Sequence, residues 1–415
     1  MQSKYSVIYP CVDQPGNHLV YSTKTASKVV IDDATLKDIR DNTLSTDEET
    51  ILKELSLVVD DIEAEKQDML HYYDSINASN TTLEVIIILN LDCNLACPYC
   101  YEGSNKGNHY MVMSTARNII KFIKNKYTSN IKSLSVSFTG GEPLLSLDVI
   151  HFIANELKVF VELKNGAFEI SLLTNGVLFT KKVADELKEY NLSGAKITLD
   201  GPKDTHDIGR PFKDGSGSFN TIISNIKDTC DMVQLNIGGN YTKENYKQFP
   251  DLLDYLIVEG ITPDKITNIQ FNPVMDMNCS SCGGHSTEKW ITEADTMLRN
   301  AIRARSYNTP SFGPTSCLID VESEYTINYN GDLYECPGFI GTDKFIVGTV
   351  TDGIQNYSES HKIDIWKNKT CLDCAYLPLC FGGCRYMSFL QHGKIIKMCS
   401  KELFDDTLEY IIRGE

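Results

Sequence analysis

The sequence lacks an excess of basic residues, a long hydrophobic run and an N-terminal basic segment followed by an apolar stretch. Its 39 Lys and Arg residues stand against 56 Asp and Glu residues, a formal net charge of -17, so we expect no nucleic-acid partner. The longest apolar run, VIIILNL at residues 85–91, is too short to span a bilayer, so we expect no membrane segment. Together these absences predict a cytoplasmic protein.

Cysteine, in contrast, is abundant, at 14 of 415 residues. Because cytosolic thiols are kept reduced, this number fits disulfides poorly. The close spacing of many of the cysteines favours metal or cluster ligation instead. A charged fraction of 23% and a hydrophobic fraction of 42% are ordinary for a globular protein, and the length allows two or three domains.

Residues 1–80 form the first of three predicted regions. Two β-branched runs separated by a turn-like DQPGN are followed by two helical patterns, the second of which has Ser45 and Glu48 at capping-box spacing. This predicts a hairpin or meander with two or three helices, a winged-helix-like module. Two roles stay open: a packing appendage, or a module that docks a peptide at a strand edge.

Residues 81–275 alternate β-branched runs with amphipathic helical patterns, which is typical of parallel strands joined by helices. The six candidate strands are VIIILNL, SLSVSFTGG, FEISLLTNG, GAKITLDG, MVQLNIGGNY and ITNIQFNPV. We expect an α/β fold whose sheet is open or curled into a partial (β/α)6 barrel, with chemistry at the C-terminal strand ends. Residues 276–415 are rich in Cys, Gly and aromatics, and metal or cluster ligands are expected to organise them.

Three cysteines, Cys93, Cys97 and Cys100, follow the first of these strands. A structural zinc site closes with four ligands, and no nearby Cys or His supplies the fourth. A [4Fe–4S] cluster can be held by three thiolates on three irons, leaving the fourth iron open to a small molecule. The spacing therefore favours a cluster over zinc or free thiols.

This C-x3-C-x2-C segment, with Tyr99 before its last cysteine, resembles the signature of radical S-adenosylmethionine (SAM) enzymes. In that family the open iron is chelated by SAM, and one electron cleaves SAM to methionine and a 5′-deoxyadenosyl radical, which abstracts a substrate hydrogen. The resemblance implies that Cys93, Cys97 and Cys100 hold the catalytic SAM-cleaving cluster.

Later strand ends extend the resemblance. GGEP at residues 140–143 matches the family element in which the glycines allow backbone approach and Glu142 accepts from the SAM ammonium group. The residues implied to bind SAM are Tyr99, Gly140, Gly141, Glu142, Pro143, Thr174, Asn175, Thr198, Asp200 and Arg210, with Asn240 as a further candidate. For Arg210 the alternatives are a pair with the SAM carboxylate and an ordinary surface ion pair.

Seven further cysteines follow the order C-x13-G-x4-C, then C-x2-C-x5-C-x3-C, then C. This order resembles the SPASM extension of radical SAM enzymes, which holds two auxiliary iron–sulfur clusters, whereas one or two zinc ribbons are the alternative. The resemblance assigns to the distal cluster Cys371, Cys374, Cys380 and Cys399. It assigns to the proximal cluster Cys317, Cys336 and Cys384.

The fourth ligand of the proximal cluster stays open. The family often places an extra cysteine just before the first SPASM cysteine, but the nearest ones here are Cys279 and Cys282, with His285 close by. The alternatives are ligation by Cys282 or Cys279, an open iron for a substrate thiolate, two unligated thiols, and a small zinc site. Cys11 and Cys230 have no partner at ligand spacing and are expected to be structural.

SPASM enzymes act mostly on peptides and proteins, forming crosslinks in ribosomally made peptides (RiPPs) or oxidising a Cys or Ser of sulfatases to formylglycine. Residues 1–80 resemble the leader-recognising module of peptide maturases, which sulfatase-maturing enzymes usually lack. Those enzymes also carry an aspartate after the second SPASM cysteine, whereas Pro337 follows Cys336 here. The resemblance therefore implies an anaerobic peptide maturase whose precursor leader binds residues 1–80 and whose product is a Cys thioether, as in sactipeptide and ranthipeptide synthases.

The sequence is also compatible with other functions. Radical chemistry could instead form a carbon–carbon or carbon–oxygen crosslink or formylglycine, or act on a small molecule, and a zinc- or cluster-stabilised binding protein is the non-enzymatic alternative. The family resemblance also implies an electron donor such as flavodoxin or ferredoxin.

Overall fold

The computed structural model describes residues 1–100, 102–274, 289–314 and 317–414. The chain divides into two compact units. Unit 1 consists of Met1–Ser79, Ser311–Val321 and His361–Glu415, and unit 2 of Asn80–Pro310 and Glu322–Ser360. The functional regions 1–80, 81–275 and 276–415 do not coincide with these units and stay a prediction.

Unit 1 begins with a three-stranded antiparallel sheet in the order β1–β2–β3. Its strands are β1 (Ser6–Pro10), β2 (Asn17–Ser22) and β3 (Lys28–Asp32). Four helices follow, namely α1 (Asp33–Asp41), α2 (Thr46–Glu54), α3 (Ile62–Leu70) and α4 (Tyr72–Ser79). The meander is formed as predicted, and Ser45 and Glu48 make the predicted capping box at the start of α2. The expectation of two or three helices was wrong, since four are formed. The winged-helix character stays a prediction.

Unit 2 contains a ten-stranded sheet in the order β13–β12–β11–β10–β4–β5–β6–β7–β8–β9. Its strands are β4 (Thr82–Ile88), β5 (Ser133–Thr139), β6 (Ala167–Thr174), β7 (Leu192–Thr198), β8 (Gln234–Tyr241), β9 (Ile266–Pro273), β10 (Glu324–Ile327), β11 (Asp332–Tyr334), β12 (Gly348–Thr349) and β13 (Gly353–Ile354). The six predicted strands are β4 to β9, which pair in parallel and in chain order. This confirms the α/β fold with a partial-barrel sheet.

Helices connect these strands and cover the sheet. They are α5 (Met113–Lys126), α6 (Leu147–Glu162), α7 (Lys181–Lys188), α8 (Lys203–Gly209), α9 (Phe219–Thr229), α10 (Phe249–Val258) and α11 (Lys289–Ala304). Apolar faces such as Ile119 and Ile123 of α5 join Val136 of β5 in one buried core. The core therefore lies between helices and strands and leaves the strand ends for polar side chains.

The C-terminal part of the chain adds short helices. They are α12 (Ser358–His361), α13 (Lys369–Leu372), α14 (Leu377–Cys380), α15 (Arg385–His392) and α16 (Lys401–Arg413). Among the described residues, no helix has both the length and the apolar character that a membrane crossing requires.

Candidate functional site

The predicted motifs follow the C-terminal ends of neighbouring parallel strands in unit 2. The cysteine segment follows β4, GGEP follows β5, TNG begins at the end of β6, and TLDGP begins at Thr198, the last residue of β7. Thr198 is half-buried, and Pro143 is buried at the start of a 3₁₀ turn, Pro143–Ser146. Because parallel strands end at the same edge, these motifs converge there.

The backbone after β5 packs directly against the backbone after β4. The Gly141 N–H donates to the Asn90 carbonyl at 3.0 Å, and the Glu142 N–H donates to the Asp92 carbonyl at 2.8 Å. A Cβ atom on Gly140 would lie 2.3 Å from the Asn90 oxygen, and one on Gly141 would lie 2.1 Å from the Asp92 oxygen. Gly140 also has a φ of +137°. The two glycines therefore permit the contact that fixes the start of the cysteine segment.

Glu142 is fully buried and joins the ends of β5 and β6. Its carboxylate accepts from the N–H groups of Leu144 at 3.0 Å and Asn175 at 2.8 Å, and from the Thr174 hydroxyl at 2.8 and 2.9 Å. Burial raises the pKa of Glu142, whereas these hydrogen bonds lower it. The residue predicted to accept from SAM is thus engaged by four contacts within the chain.

Asn175 connects the hydrogen bonds of Glu142 to the first cysteine of the segment, Cys93. Its side-chain Nδ2 donates to the Asn94 side chain at 2.7 Å and lies 3.5 Å from the sulfur of Cys93. The Leu95 N–H lies 3.4 Å from the same sulfur. Hydrogen bonds to cysteine sulfurs are among the features that set the potential of an iron–sulfur cluster.

Further contacts anchor the cysteine segment. The Asp92 carboxylate accepts from Lys213 at 2.8 Å and from the Tyr110 hydroxyl at 2.7 Å. The Ala96 N–H donates to the Pro211 carbonyl at 2.8 Å. The segment is therefore attached to the chain that follows α8 as well as to the ends of β5 and β6.

Tyr99, Asp200, Arg210 and Asn240 form a second network. The Tyr99 hydroxyl donates to Asp200 and accepts from Arg210 at 3.1 Å. The Asp200 carboxylate accepts from the backbone and side-chain nitrogens of Asn240 at 2.6 and 3.2 Å. Arg210 lies 3.7 Å from the Asp200 carboxylate, so it forms a buried pair rather than a surface one. Its Nε has no hydrogen-bond partner among the described residues, which fits an anionic ligand such as a carboxylate.

His206, which the sequence analysis did not single out, supports this network. Its Nδ1 accepts from the Asp200 N–H at 3.2 Å, and its Nε2 lies 3.1 Å from the Ser218 hydroxyl, which donates to the Arg210 carbonyl at 2.7 Å. Burial lowers the pKa of His206 to about 3, so the imidazole is neutral and carries its proton on Nε2. No sequence pattern identifies His206, because both of its partners are brought to it by the fold.

The three thiols of the cysteine segment fit a [4Fe–4S] cluster by donor chemistry. Cys93 is buried, Cys97 and Cys100 are half-buried, and none of them is in a disulfide. Within the described parts of the chain, no three His, Cys, Asp or Glu side chains are gathered to hold a metal ion. A cluster instead offers a separate iron to each thiolate.

The four cysteines predicted to hold the distal cluster line one cavity of about 410 Å³ in unit 1. They are Cys371, Cys374, Cys380 and Cys399. Four thiols around one cavity fit the ligand set of a four-thiolate cluster. Their role as ligands stays a prediction.

The cysteines predicted to hold the proximal cluster belong to both units. Cys317 and Cys384 lie in unit 1, whereas Cys336 lies in unit 2, where Glu335 separates it from the end of β11. Burial raises the pKa of the Cys317 thiol, nearby Arg385 lowers it, and Cys384 raises it further. The remaining candidates, Cys279 and Cys282 with His285, fall outside the described residues.

Sequence comparison identifies relatives of this chain. Residues 87–256 match the Radical SAM superfamily. The radical SAM cyclopropyl synthase TigE of Paramaledivibacter caminithermalis is 23% identical over 81% of this chain and 75% of that protein. A cysteine-type anaerobic sulfatase-maturating enzyme of Clostridium novyi is 25% identical over 71% of this chain and 85% of that protein. An uncharacterized protein of Methanocaldococcus jannaschii, MJ0907, is 32% identical over 41% of this chain and 56% of that protein, so the match spans just over half of it.

Structure comparison supports the fold. The crystal structure of Streptococcus suis SuiB bound to precursor peptide SuiA matches with a TM-score of 0.52 at 16% identity, over 97% of this chain and 99% of that chain. Radical SAM enzymes use SAM and a [4Fe–4S] cluster, and relatives of the SPASM type carry auxiliary clusters. The chain therefore contains a radical SAM domain at residues 87–256, and the relatives named above include modifying enzymes.

Proposed function

We propose that this enzyme is a peptide maturase that abstracts a hydrogen from a ribosomally made precursor peptide. When bound, SAM and the cluster at Cys93, Cys97 and Cys100 supply one-electron cleavage and a 5′-deoxyadenosyl radical. The observation that carries the peptide part of the proposal is an open strand edge in unit 1. A relative whose structure contains a precursor peptide supports it.

The open edge is that of β3. This strand pairs with β2 on one side, and no other strand of the described residues pairs with its second side. Val30 at its centre is 50% exposed. At the β1 edge Arg413 of α16 occupies a main-chain acceptor, the Pro10 carbonyl, at 2.7 Å, whereas β3 contacts the same helix through the Lys28 side chain, which donates to the Ile412 carbonyl at 2.9 Å. An extended leader peptide would therefore add as a strand beside β3, with main-chain hydrogen bonds supplying affinity.

Residues of unit 2 would bind and orient SAM. Arg210 holds its carboxylate, because the guanidinium is buried and its Nε is without a partner among the described residues. Tyr99 and Asp200 keep that guanidinium in place. Glu142 and Asn175 keep the cysteine segment in place from the opposite side.

For the product we propose a Cys thioether. The resemblance gives the proximal cluster three ligands, Cys317, Cys336 and Cys384, which leaves a position for a substrate thiolate. Closing one carbon–sulfur bond removes two hydrogens from the peptide: the 5′-deoxyadenosyl radical takes one as an atom from carbon, and the thiol releases the other as a proton. The remaining electron would pass to an auxiliary cluster, as the family resemblance implies. A carbon–carbon bond is the second candidate, because a relative matching 81% of the chain is named a cyclopropyl synthase.

Mass spectrometry with thiol alkylation separates these products. A precursor peptide encoded beside the gene would be incubated anaerobically with enzyme, SAM and reduced flavodoxin or ferredoxin, and 5′-deoxyadenosine would be quantified. A loss of two hydrogens with an alkylation-resistant cysteine is the expected result. The same loss with a free thiol would assign carbon–carbon or carbon–oxygen chemistry. An unchanged peptide despite SAM cleavage would argue against that peptide as substrate and favour a small molecule.

Leader docking at β3 is tested by Val30→Lys, with Val12→Lys as the matched control. Val12 is 83% exposed and lies in the turn between β1 and β2, outside β3. Fluorescence anisotropy of a labelled leader should show at least tenfold weaker binding for the Val30 variant and unchanged binding for the control. Equal affinity of both variants for the leader would show that the leader does not bind at the β3 edge.

A further inference from the structure

Helix α4 contacts the segment that carries Cys317, and both belong to unit 1. The Tyr73 hydroxyl accepts a hydrogen bond from the Cys317 N–H at 3.2 Å. Asn77, one turn further along α4, donates to the Asp320 carbonyl at 3.3 Å. The Asp320 N–H in turn donates to the Cys317 carbonyl at 2.9 Å. Both ends of the turn Cys317–Asp320 are thus attached to α4.

A buried ion pair connects the same turn to Cys384. An Arg385 nitrogen lies 2.9 Å from the Asp320 carboxylate, and the two side chains are 1% and 0% exposed. Arg385 also donates to the Ile363 carbonyl at 3.2 Å. Since Arg385 directly follows Cys384, the pair limits how far the Cys317 and Cys384 backbones can move apart.

The segment around Cys371 and Cys374 is attached to the N-terminal residues in the same manner. The Tyr5 hydroxyl donates to the Leu372 carbonyl at 3.1 Å, and the Thr23 hydroxyl donates to the Ala375 carbonyl at 2.5 Å. Lys66 of α3 lies 2.8 Å from the Asp373 carboxylate. Three separate segments of residues 1–79, namely the turns at Tyr5 and Thr23 and helix α3, therefore contact the backbone or side chains beside these two cysteines.

We propose that residues 1–79 have a second role beside peptide docking: they position the cysteines of the auxiliary clusters, with Tyr73 as the positioning residue of Cys317. The inference rests on the proposed assignment of these cysteines to clusters, and it is independent of where the leader binds. Tyr73 is 8% exposed, so removal of its hydroxyl leaves the Cys317 N–H without its partner in a buried environment. The Cys317 turn would then sample positions that do not suit cluster ligation.

The test compares Tyr73→Phe with Tyr72→Phe in the full-length enzyme after anaerobic reconstitution. Tyr72 is the neighbouring residue, its ring stacks on Phe381 at 4.8 Å, and its substitution preserves that stack. Iron and sulfide per chain and the electron paramagnetic resonance spectrum are measured. Tyr73→Phe should lose up to one cluster per chain together with one component of the spectrum, and Tyr72→Phe should equal the wild type. A wild-type iron content and spectrum for Tyr73→Phe would overturn the proposal.

Hydrogen exchange of the apoprotein provides a readout without iron. Peptides covering residues 317–321 should exchange faster in Tyr73→Phe than in Tyr72→Phe, and equal rates would also overturn the proposal. Cys317→Ala separates the assignment of Cys317 to a cluster from the positioning role of Tyr73. If Cys317→Ala retains all the iron of the wild type, the cluster assignment itself fails. If it loses a cluster that Tyr73→Phe keeps, the assignment stands and the positioning role fails.

Discussion

The carboxylate of Glu142 accepts a hydrogen bond of 2.8 Å from the backbone N–H of Asn175. This bond joins the ends of β5 and β6, and the Asn175 side chain continues to the sulfur of Cys93. The cysteine segment is therefore positioned by protein contacts that do not depend on a bound cluster. Positioning before ligand binding lowers the entropic cost of assembling the site.

Glu142→Gln should destabilise the apoprotein by about 1–3 kcal/mol. In the wild type one carboxylate oxygen accepts from the Leu144 N–H and the other accepts from the Asn175 N–H. The glutamine amide has a single acceptor oxygen, so one of these two N–H groups would lose its acceptor. Urea unfolding at neutral pH measures the change. Glu54→Gln, on an exposed part of α2, should stay within about 0.5 kcal/mol of the wild type. Equal stability of the two variants would show that the hydrogen bonds to the Glu142 carboxylate do not stabilise the fold.

Gly140→Ala should destabilise the protein more than Gly260→Ala does. Both glycines have positive φ, +137° and +76°, so both substitutions strain the backbone. Only at Gly140 does the new Cβ meet another chain segment, at 2.3 Å from the Asn90 oxygen, whereas nothing lies within 4 Å at Gly260. We expect a difference of about 1–3 kcal/mol in urea unfolding, with less iron retained by the Gly140 variant. Similar stability and iron content would contradict a role for close backbone approach.

The sequence predicted the elements whose signals are local. Strands β4 to β9 have β-branched runs separated by amphipathic helices, and all six are formed. Strands β10 to β13 were missed, because they are two to four residues long and β10 pairs in parallel with β4, as Thr326 does with Ile86. Such a pairing is a tertiary contact, and neither strand alone carries its signal.

The same distinction between local sequence signals and tertiary contacts applies to the residues of the candidate site. Cysteine spacing singled out Cys93 and its two neighbours, because ligand number and separation can be read along the chain. His206 has no such pattern, since its importance depends on Ser218 and on the backbone of Asp200. The prediction that Glu142 accepts from SAM did not include its contacts to β6, which only the fold supplies.

His206 should make the stability of the protein depend on pH in the acidic range. Burial lowers its pKa from an ordinary value of 6.5 to about 3, so below pH 6.5 the unfolded chain binds a proton that the folded chain does not. Its contribution is present above pH 6.5 and is lost as the pH falls towards 3, by about 2 kcal/mol between pH 7 and 5. Urea unfolding of His206→Asn should therefore show a smaller deficit relative to wild type at pH 5 than at pH 7.

His392→Asn is the matched control for this pH dependence, because His392 is exposed at the end of α15. Its stability should follow the wild type at both pH values. A deficit of His206→Asn that is the same at pH 7 and pH 5 would show that the buried imidazole does not contribute in this way.

Removal of Arg385 should cost more stability at pH 8 than at pH 5. Burial raises the pKa of Asp320 to about 6, and Arg385 opposes this shift. In Arg385→Met the pKa of Asp320 rises further. At pH 8 the folded variant must therefore either bury an unpaired Asp320 carboxylate or bind a proton at Asp320, and both lower its free energy of unfolding. Breaking a buried ion pair costs about 3–5 kcal/mol, and replacing both partners by apolar residues costs less. Urea unfolding of Arg385→Met, Asp320→Leu and the double variant should therefore give a double variant more stable than the sum of the two losses predicts. Additive losses that do not change between pH 5 and pH 8 would show that the two side chains do not act as a pair.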